Sequence, residues 1–322
     1  MLKTIAAAPL EPIRLQQVVA CIDRSAFAPA VVAHAVQAAS ALDADLTLLQ
    51  VIEPRGTAPP DPVNLDLGVQ EAQQDLAQVA EEQSSRVGRI KTVVIEGDPA
   101  EQICRWVQDN DVDLTVFATH GEHGVTQWAF GSTARKLLDG VPGSLLLVPA
   151  RPMVGEVSYG TGFVPLDGSS YAESVLPLAT RLAADGRTRV VLAHIIPVPE
   201  LTETVPIEGD TLALRERLVD RNRRVAEEYL QQVRARVEGD VHVLIAPRNV
   251  RTGLAAMIAD EHPDLVVLSA YGCGGPRADA PFGSVADYLV SQSNVPLLVV
   301  RERNAVPALR LSPSMTSHHV RA

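Results

Sequence analysis

A glycine-bearing loop carries the residues of this sequence that are best suited to hold an anion. Gly121 is followed, after nine residues, by Gly131 and Ser132. The loop comes after a short apolar run and before a helical pattern, so its backbone N–H groups should face the carboxyl edge of a sheet at the positive end of a helix dipole. We expect the glycines to permit positive φ and close approach, with Ser132 as the helix N-cap. Phosphate binding is the chemistry implied; a plain β-α turn with a capped helix is the alternative.

The same pattern occurs a second time, some 151 residues further along the chain. Gly272 corresponds to Gly121, and Gly283 with Ser284 corresponds to the later pair, but ten residues instead of nine separate the two glycines. Internal repetition at domain length indicates two similar domains. The second loop therefore predicts a second anion site of the same kind.

Two aspartates, Asp23 and Asp167, each follow the first predicted strand of a repeat. A carboxylate at the carboxyl end of such a strand can accept hydrogen bonds from ribose hydroxyls, as acidic residues do in dinucleotide-binding folds. The alternative is that each caps the following helix, assisted by Ser25 and Ser169. The residues alone leave both interpretations open.

The sequence lacks the residues that several other chemistries require. No Gly-Lys-Ser/Thr occurs, and the three lysines are Lys3, Lys91 and Lys136, which argues against a P-loop hydrolase. No Gly-x-Ser-x-Gly supplies a nucleophile of the α/β-hydrolase kind. His120 and His123 lie on the glycine loop with no nearby cysteine or third histidine, which favours loop lining or phosphate contact over metal binding or acid-base chemistry. We expect no catalytic residues, no metal site and no enzymatic activity.

Composition and charge limit the classes of protein to which this chain can belong. A length of 322 residues suits two domains, and 46% hydrophobic with only 4% aromatic residues suits helix-covered parallel sheets built from Val, Leu, Ile and Ala. The net charge of −11 argues against nucleic acid as a partner. Three dispersed cysteines suit a reducing compartment, and no apolar run reaches membrane-spanning length. We expect a cytoplasmic protein without a membrane partner.

The strands and helices alternate in both halves, which predicts right-handed crossovers and a parallel sheet with helices on both faces. The first half is predicted as strands Gln17–Ile22, Leu46–Ile52, Lys91–Ile95, Leu114–Phe117 and Ser144–Val148, with helices that include Ala28–Leu42 and Ala100–Asp109. The second half is predicted as a strand that ends at Leu166, helix Ala172–Ala184, strand Arg189–Ile196, helix Leu212–Val237, strand Val241–Ile245, helix Thr252–Asp260, and strands Leu265–Leu268 and Pro296–Val300.

Two such five-stranded α/β units, each with an aspartate after strand one and a glycine loop after strand four, resemble a tandem universal stress protein. The resemblance covers residues 16–151, called here the first repeat, and residues 158–302, the second repeat; residues 303–322 are expected to be a disordered tail. It implies an adenine nucleotide alpha hydrolase-like, Rossmann-like fold for each repeat. The internal repeat itself predicts an intramolecular pseudo-dimer about an approximate two-fold axis, joined through the apolar last strands, Leu145–Val148 and Leu297–Val300. A homodimer of the whole chain is a further option.

The resemblance also implies a nucleotide site in each repeat. Nucleotide-binding members carry Gly-x2-Gly-x9-Gly-Ser/Thr, and the first repeat matches it with Ala in place of the leading Gly. The implied binding residues of the first repeat are Asp23, Val51 (whose backbone would receive adenine), Gly97, Gly121, Gly131, Ser132 and Thr133. Those of the second repeat are Asp167, Ile195, Gly272, Gly283, Ser284 and Val285, with Arg248 in place of the turn glycine Gly97.

The function that follows from the resemblance is an adenine-nucleotide sensor or regulatory module of the stress response, with ATP or AMP as ligand, accompanied or not by Mg²⁺. A nucleotide-free scaffold and a slow ATPase are the alternatives. We expect the first repeat to be the better binder, because it keeps the nine-residue spacing and the Gly97-Asp98-Pro99 turn.

Overall fold

The computed structural model describes the parts of the chain that form the two repeats. These are residues 15–53, 62–120, 131–151, 155–182, 188–199, 209–276, 280–292 and 294–301. Gly121, His123 and the predicted tail 303–322 lie outside the described residues.

The strands and helices of the first repeat alternate as predicted, with ends that move by a few residues at most where a prediction was made. They are β1 (Gln17–Ile22), α1 (Ala28–Leu42), β2 (Asp45–Ile52), α2 (Pro62–Gln83), β3 (Ile90–Glu96), α3 (Pro99–Asp109), β4 (Leu114–Ala118), α4 (Ser132–Gly140) and β5 (Ser144–Val148).

The second repeat follows the same order with one additional helix. Its elements are β6 (Thr161–Pro165), α5 (Ser170–Glu173), α6 (Leu176–Leu182), β7 (Arg189–Pro197), α7 (Gly209–Arg234), β8 (Asp240–Arg248), α8 (Val250–Glu261), β9 (Leu265–Ser269), α9 (Ser284–Gln292) and β10 (Leu297–Val300).

The prediction of a single helix, Ala172–Ala184, was wrong, because the structure divides this segment into α5 and α6. Pro177 is the cause. In a continuous helix its ring would clash with the carbonyl of Glu173, and it has no N–H to bond to that carbonyl. The chain therefore leaves the helix at Ser174 and begins again at Leu176, where proline falls in a first turn and needs no N–H partner.

The chain divides into two compact units. Among the described residues, the first unit holds those of 15–158, 276–281 and 294–301, and the second holds those of 159–275 and 282–292. In the first unit the strand order is β3-β2-β1-β4-β5-β10; the first five strands run parallel and β10 is antiparallel to β5, with Leu298 opposite Leu146. In the second unit the order is β9-β6-β7-β8, all parallel. The predicted α/β fold class is confirmed.

The core of each unit is aliphatic, as the composition indicates. Residues Leu114–Phe117 of β4 and Leu265–Leu268 of β9 are buried, which is the burial expected of strands covered by helices on both faces. The strand ends are left to carry the polar residues. In the first unit β1 lies between β2 and β4, so the connections that leave β1 and β4 diverge and open a crevice at their carboxyl ends.

An aspartate fixes the opposite, amino edge of each sheet. Asp113, just before β4, accepts hydrogen bonds at Oδ2 from the backbone N–H groups of Gln16 and Gln17, at 2.8 and 3.0 Å. Asp264 does the same before β9, accepting from the N–H of Thr161 at 2.8 Å. The first and fourth strands of each repeat are thereby fixed in register, which in turn sets the relative heights of their carboxyl ends.

Replacing Asp113 by Ala should destabilise the first unit. The backbone N–H groups at the start of β1 lose their shared acceptor, and an unsatisfied partly buried donor costs about 1–3 kcal/mol. Urea unfolding followed by circular dichroism measures the loss. The exposed Asp75→Ala on α2 is the matched control and should stay within about 0.5 kcal/mol of the parent. Equal stability of the two variants would show that the Asp113 contacts contribute nothing.

Candidate functional site

A cavity of about 460 Å³ opens at the carboxyl edge of the first unit. It is lined by the ends of β1, β2 and β4 and by α3 and α4. Five of the first-repeat residues predicted from the sequence lie in its wall: Asp23, Val51, Gly131, Ser132 and Thr133. The structure therefore gathers in one place residues that are up to 110 positions apart in the chain.

The wall formed by α4 presents backbone donors. Gly131 N–H donates to the carbonyl of Thr119 at 3.1 Å, which closes the loop, and Gly131 itself is the N-cap, with no side-chain cap. The first bond of the helix runs from Arg135 N–H to the Gly131 carbonyl at 3.0 Å. The N–H groups of Ser132, Thr133 and Ala134 precede that bond, so the helix start offers donors to an anion.

Two details of the predicted loop were wrong. Ser132 is the first helical residue and does not act as the N-cap, because the chain turns into the helix one residue earlier than the serine signal suggests. Gly131 has φ −57° and ψ 151°, a conformation open to any residue, so it does not use the positive φ that was expected of it. What glycine provides here is the absence of a side chain over the first-turn N–H groups, where a capping side chain would lie.

Asp23 presents a carboxylate to the cavity from the end of β1. Its Oδ1 accepts from the backbone N–H of Ser25 at 3.1 Å and from the Ser25 hydroxyl at 2.5 Å. The alternative that Asp23 caps α1 was wrong, because the N-cap of that helix is Phe27 and no side chain caps it. Within the part of the chain that the structure describes, this carboxylate is held through Oδ1 alone.

Val51 offers its backbone. Strand β2 continues past the last residue paired with β1, since Ile22 lies opposite Gln50, and Val51 and Ile52 pair with β3 alone. The Ile52 carbonyl accepts from Gly97 N–H on the β3 side, at 3.0 Å. Because backbone groups of successive strand residues point to opposite sides, those of Val51 point to the side where β1 has ended.

Gly97 is not in the cavity wall, and it affects the cavity through the turn that it forms. It turns the chain after β3 with φ +136°, and a Cβ there would come within 2.8 Å of Gln102 Nε2. Asp98 then caps α3 by accepting from Glu101 N–H at 3.0 Å. This turn places Pro99 and Ile103 of α3 in the cavity wall.

The wall also contains residues that sequence reasoning did not assign to binding. Gln50, Glu53, Arg24 and Ile103 line it, and their only sequence signal is their position at or after a strand end or on α3. Arg24 faces Glu71 of α2, with Nη2 and Oε2 separated by 3.6 Å. Cys21 adds an uncharged surface to the wall. Burial of its thiol, and to a smaller extent the nearby Cys104, raises the pKa of that thiol.

The sequence favours His120 as a loop-lining or phosphate-contacting residue, and it does line the cavity. Its Nδ1 lies 3.1 Å from Oγ1 of Thr119.

The equivalent aspartate of the second repeat, Asp167, has partners for both of its carboxylate oxygens. Oδ1 of Asp167 accepts from the N–H and the hydroxyl of Ser169, at 2.9 and 2.6 Å, as Asp23 does with Ser25. Oδ2 of Asp167, however, accepts from the backbone N–H of Cys273 at 2.8 Å, and the thiol of Cys273 donates to the Asp167 carbonyl at 3.4 Å. Both carboxylate oxygens are thus used within the protein. We call this contact the Asp167–Cys273 latch.

The latch depends on Gly272. A Cβ at this position would come within 2.2 Å of Asp167 Oδ2, so no side chain fits while the loop rests on the carboxylate. Capping of α5 is done by Ser169, whose hydroxyl accepts from Ala172 N–H at 3.1 Å, and not by Asp167 itself. Gly272 therefore permits an internal contact here, where a ligand contact was predicted.

The extra residue of the second glycine loop does not prevent closure. Gly283 N–H donates to the Ala270 carbonyl at 2.7 Å, the counterpart of the bond that closes the first loop. Ser284 and Val285 begin α9, as Ser132 and Thr133 begin α4. Ile195 is buried in β7, and the exposed Arg248 ends β8. The closing bond is therefore the same in both repeats.

Together these features define a class of protein: a chain of two Rossmann-like α/β repeats, each with an aspartate after its first strand and a glycine–serine pair at the start of the helix that follows its fourth strand. The Universal stress protein family model matches residues 14–149 and 160–301. The chain belongs to this family, with two copies of its domain.

Solved structures show the same fold over nearly the whole chain. A functionally unknown protein from Pseudomonas aeruginosa PAO1 is similar with a TM-score of 0.66 and 15% identity, over 90% of this chain and 94% of that one. A universal stress protein from Archaeoglobus fulgidus is similar with a TM-score of 0.61 and 18% identity, over 90% of this chain and 100% of that one. A search of curated protein sequences finds no significant match.

Among the described residues, no group of three or more His, Cys, Asp or Glu side chains is placed to hold a metal ion. In the same part of the chain, no helix is long and apolar enough to cross a membrane.

Because of the latch, the second unit should lose stability as the solution becomes acidic. Partial burial of Asp167 opposes its ionisation, but hydrogen bonds from Ser169 and Cys273 outweigh it and lower the pKa below the ordinary 3.8. A lowered folded-state pKa contributes stability that is present above pH 3.8 and is lost as the pH falls through the folded-state value.

Thermal unfolding of the parent and of Asp167→Asn between about pH 5 and pH 2.5 tests this dependence. The difference in midpoint should be largest at the upper end and shrink steadily below pH 3.8. A difference that is constant, or that grows with acid, contradicts the ionised latch.

Proposed function

We propose that the cavity of the first repeat binds an adenine nucleotide, ATP or AMP, and that the protein acts as a nucleotide-responsive module of the stress response. One observation carries the proposal. A single cavity joins a locally held carboxylate, Asp23, to a helix start with no side-chain cap, at Ser132 and Thr133. A nucleotide has the complementary pair of ends, sugar hydroxyls and phosphates.

Each part of the ligand has a matching group in the wall. The backbone of Val51, on the side where β1 has ended, suits the hydrogen-bonding edge of adenine. Oδ2 of Asp23 suits the ribose hydroxyls. The N–H groups at the start of α4 and the hydroxyls of Ser132 and Thr133 suit the phosphates. His120, which also lines the cavity, would add a polar contact to the phosphates.

Mg²⁺ would be held as a companion of the phosphates by phosphate oxygens, water and Glu53, because Asp23, the other carboxylate in the cavity wall, is assigned to the ribose. When bound, the ion would neutralise part of the phosphate charge.

The second repeat is the weaker site in this proposal. Both oxygens of Asp167 are used by Ser169 and Cys273, so a ribose would have to displace the latch. A hydrogen bond to a charged group contributes about 1.5–3 kcal/mol, which is lost from the binding free energy each time such a bond must be broken first. Arg248, in place of the turn glycine Gly97, is a second difference between the repeats.

A binding role is favoured over catalysis by the residues in the wall. Of the described lining residues, the basic types are Arg24 and His120, and Arg24 lies beside Glu71. Phosphoryl transfer depends on cationic groups that neutralise developing charge on the transferred phosphate. The proposal is therefore a sensor or storage site from which nucleotide leaves intact.

Gly131→Asp tests the phosphate end without weakening the helix. An aspartate at the N-cap places its own carboxylate on the first-turn N–H groups, so helix stability should stay equal or rise by a few tenths of a kcal/mol. The same carboxylate occupies the phosphate position and repels the ligand. ATP affinity, measured by titration calorimetry on ligand-stripped protein, should fall at least about tenfold, which is about 1.4 kcal/mol.

Gly283→Asp, at the corresponding position before α9, is the matched control. It should change ATP affinity by less than about threefold. If Gly283→Asp removed binding and Gly131→Asp did not, the site would belong to the second repeat. If neither variant changed the affinity, the phosphate position assigned to α4 would be wrong.

The absence of catalysis is tested separately. ATP incubated with the protein and Mg²⁺ for several hours should be recovered unchanged by anion-exchange chromatography, at a level equal to that of a protein-free sample. ADP formation that exceeds the blank and disappears in Gly131→Asp would favour the slow ATPase instead.

A further inference from the structure

A buried arginine lies at the end of β10, at the far end of α4 from the cavity. Arg301 is only 6% exposed and belongs to the first unit, although it follows the last strand of the second repeat. Its side chain is thus enclosed by residues that precede it by more than 150 positions.

The guanidinium of Arg301 donates to three backbone carbonyls. Nε donates to Gly143 at 2.6 Å, Nη1 to Leu138 at 3.4 Å, and Nη2 to Val141. Leu138 lies in the last turn of α4, Val141 is its C-cap residue, and Gly143 precedes β5. One side chain therefore fastens the carboxyl end of α4 to the turn that follows it.

This contact supplies what α4 lacks. The last turn of the helix has no basic residue of its own. Carbonyls at a helix end have no intrahelical donors, and a cation there interacts favourably with the helix dipole. A planar guanidinium with several donors in fixed directions can bind several carbonyls at once, which also fixes the direction and depth of the helix.

The two ends of α4 move together because the helix is short. Its nine residues span about 14 Å at about 1.5 Å per residue, with hydrogen bonds along the whole length. A shift at Val141 is therefore transmitted to Ser132 and Thr133, which line the cavity. Donors for a phosphate must be held within a few tenths of an ångström to keep their hydrogen bonds.

We propose that Arg301 is a positioning residue for the phosphate end of the first-repeat cavity, so that the second repeat contributes a residue on which the first repeat's site depends. This inference rests on the proposed function. It predicts a selective effect: Arg301 supports the phosphate contacts through α4, whereas adenine and ribose are recognised from β2 and β1, at Val51 and Asp23.

The experiment compares ATP with adenosine, which lacks phosphates, on the full chain stripped of ligand. In Arg301→Met the dissociation constant for ATP should rise at least about tenfold, while that for adenosine stays within about threefold of the parent. Arg301→Lys keeps the positive charge but loses the planar set of donors. Its ATP affinity should lie between those of the parent and of Arg301→Met. Hydrogen exchange of the peptide 131–140 should be faster in Arg301→Met, including at its amino end.

Leu298→Ala on the same strand is the control for lost stability. It removes a buried side chain opposite Leu146 and leaves the Arg301 contacts in place. It should not separate ATP from adenosine. If Arg301→Met fails to fold, Arg301→Lys carries the comparison with the same selectivity expected.

Several results would overturn the inference while leaving the proposed function standing. These are an unchanged ATP affinity in Arg301→Met, an equal loss for ATP and adenosine, an equal selectivity in Leu298→Ala, or unchanged exchange across 131–140. If the parent protein bound neither ATP nor adenosine, the proposed function would fail first and the inference with it.

Discussion

The organisation of the first unit depends on how one helix begins. Gly131 N–H is bound by the Thr119 carbonyl, and the next N–H groups, at the start of α4, receive no side-chain cap. Polar groups at a helix start must be satisfied by a side chain, water or a ligand. Parallel strands bring this helix start and the carboxylate of Asp23 to the same edge, because β1 and β4 are neighbours. The cavity is the space between those two groups.

The two repeats show how similar backbones can differ in chemistry. Both close the glycine loop with the same bond, from Gly131 to Thr119 and from Gly283 to Ala270. Both hold an aspartate by a serine two residues later. In the second repeat the loop after β9 also rests on Asp167 and uses its second oxygen. A carboxylate whose two oxygens already have partners gains little from a ribose, and for this reason the proposed nucleotide site is that of the first repeat.

The sequence predicted the fold well because apolar runs, helical periodicity and internal repetition are local signals. It also named five residues of the cavity wall, because parallel strands bring their carboxyl ends together. It missed the Asp167–Cys273 latch, whose partners are 106 positions apart and meet only through the path of a loop. The break at Pro177 had a readable local cause that a long helical pattern concealed. Arg301 has no signal, because its three acceptors are backbone carbonyls, which any sequence offers.

The central claim, that the first-repeat cavity is the adenine-nucleotide site, is tested most directly by a crystal structure of the full chain with a non-hydrolysable ATP analogue and Mg²⁺. The account predicts phosphate oxygens within hydrogen-bond distance of the N–H groups of Ser132 and Thr133, a ribose hydroxyl on Asp23, and adenine beside the backbone of Val51. A nucleotide bound only beside Asp167 in the second repeat, or a first-repeat cavity that stays free of nucleotide at saturating concentration, would contradict it.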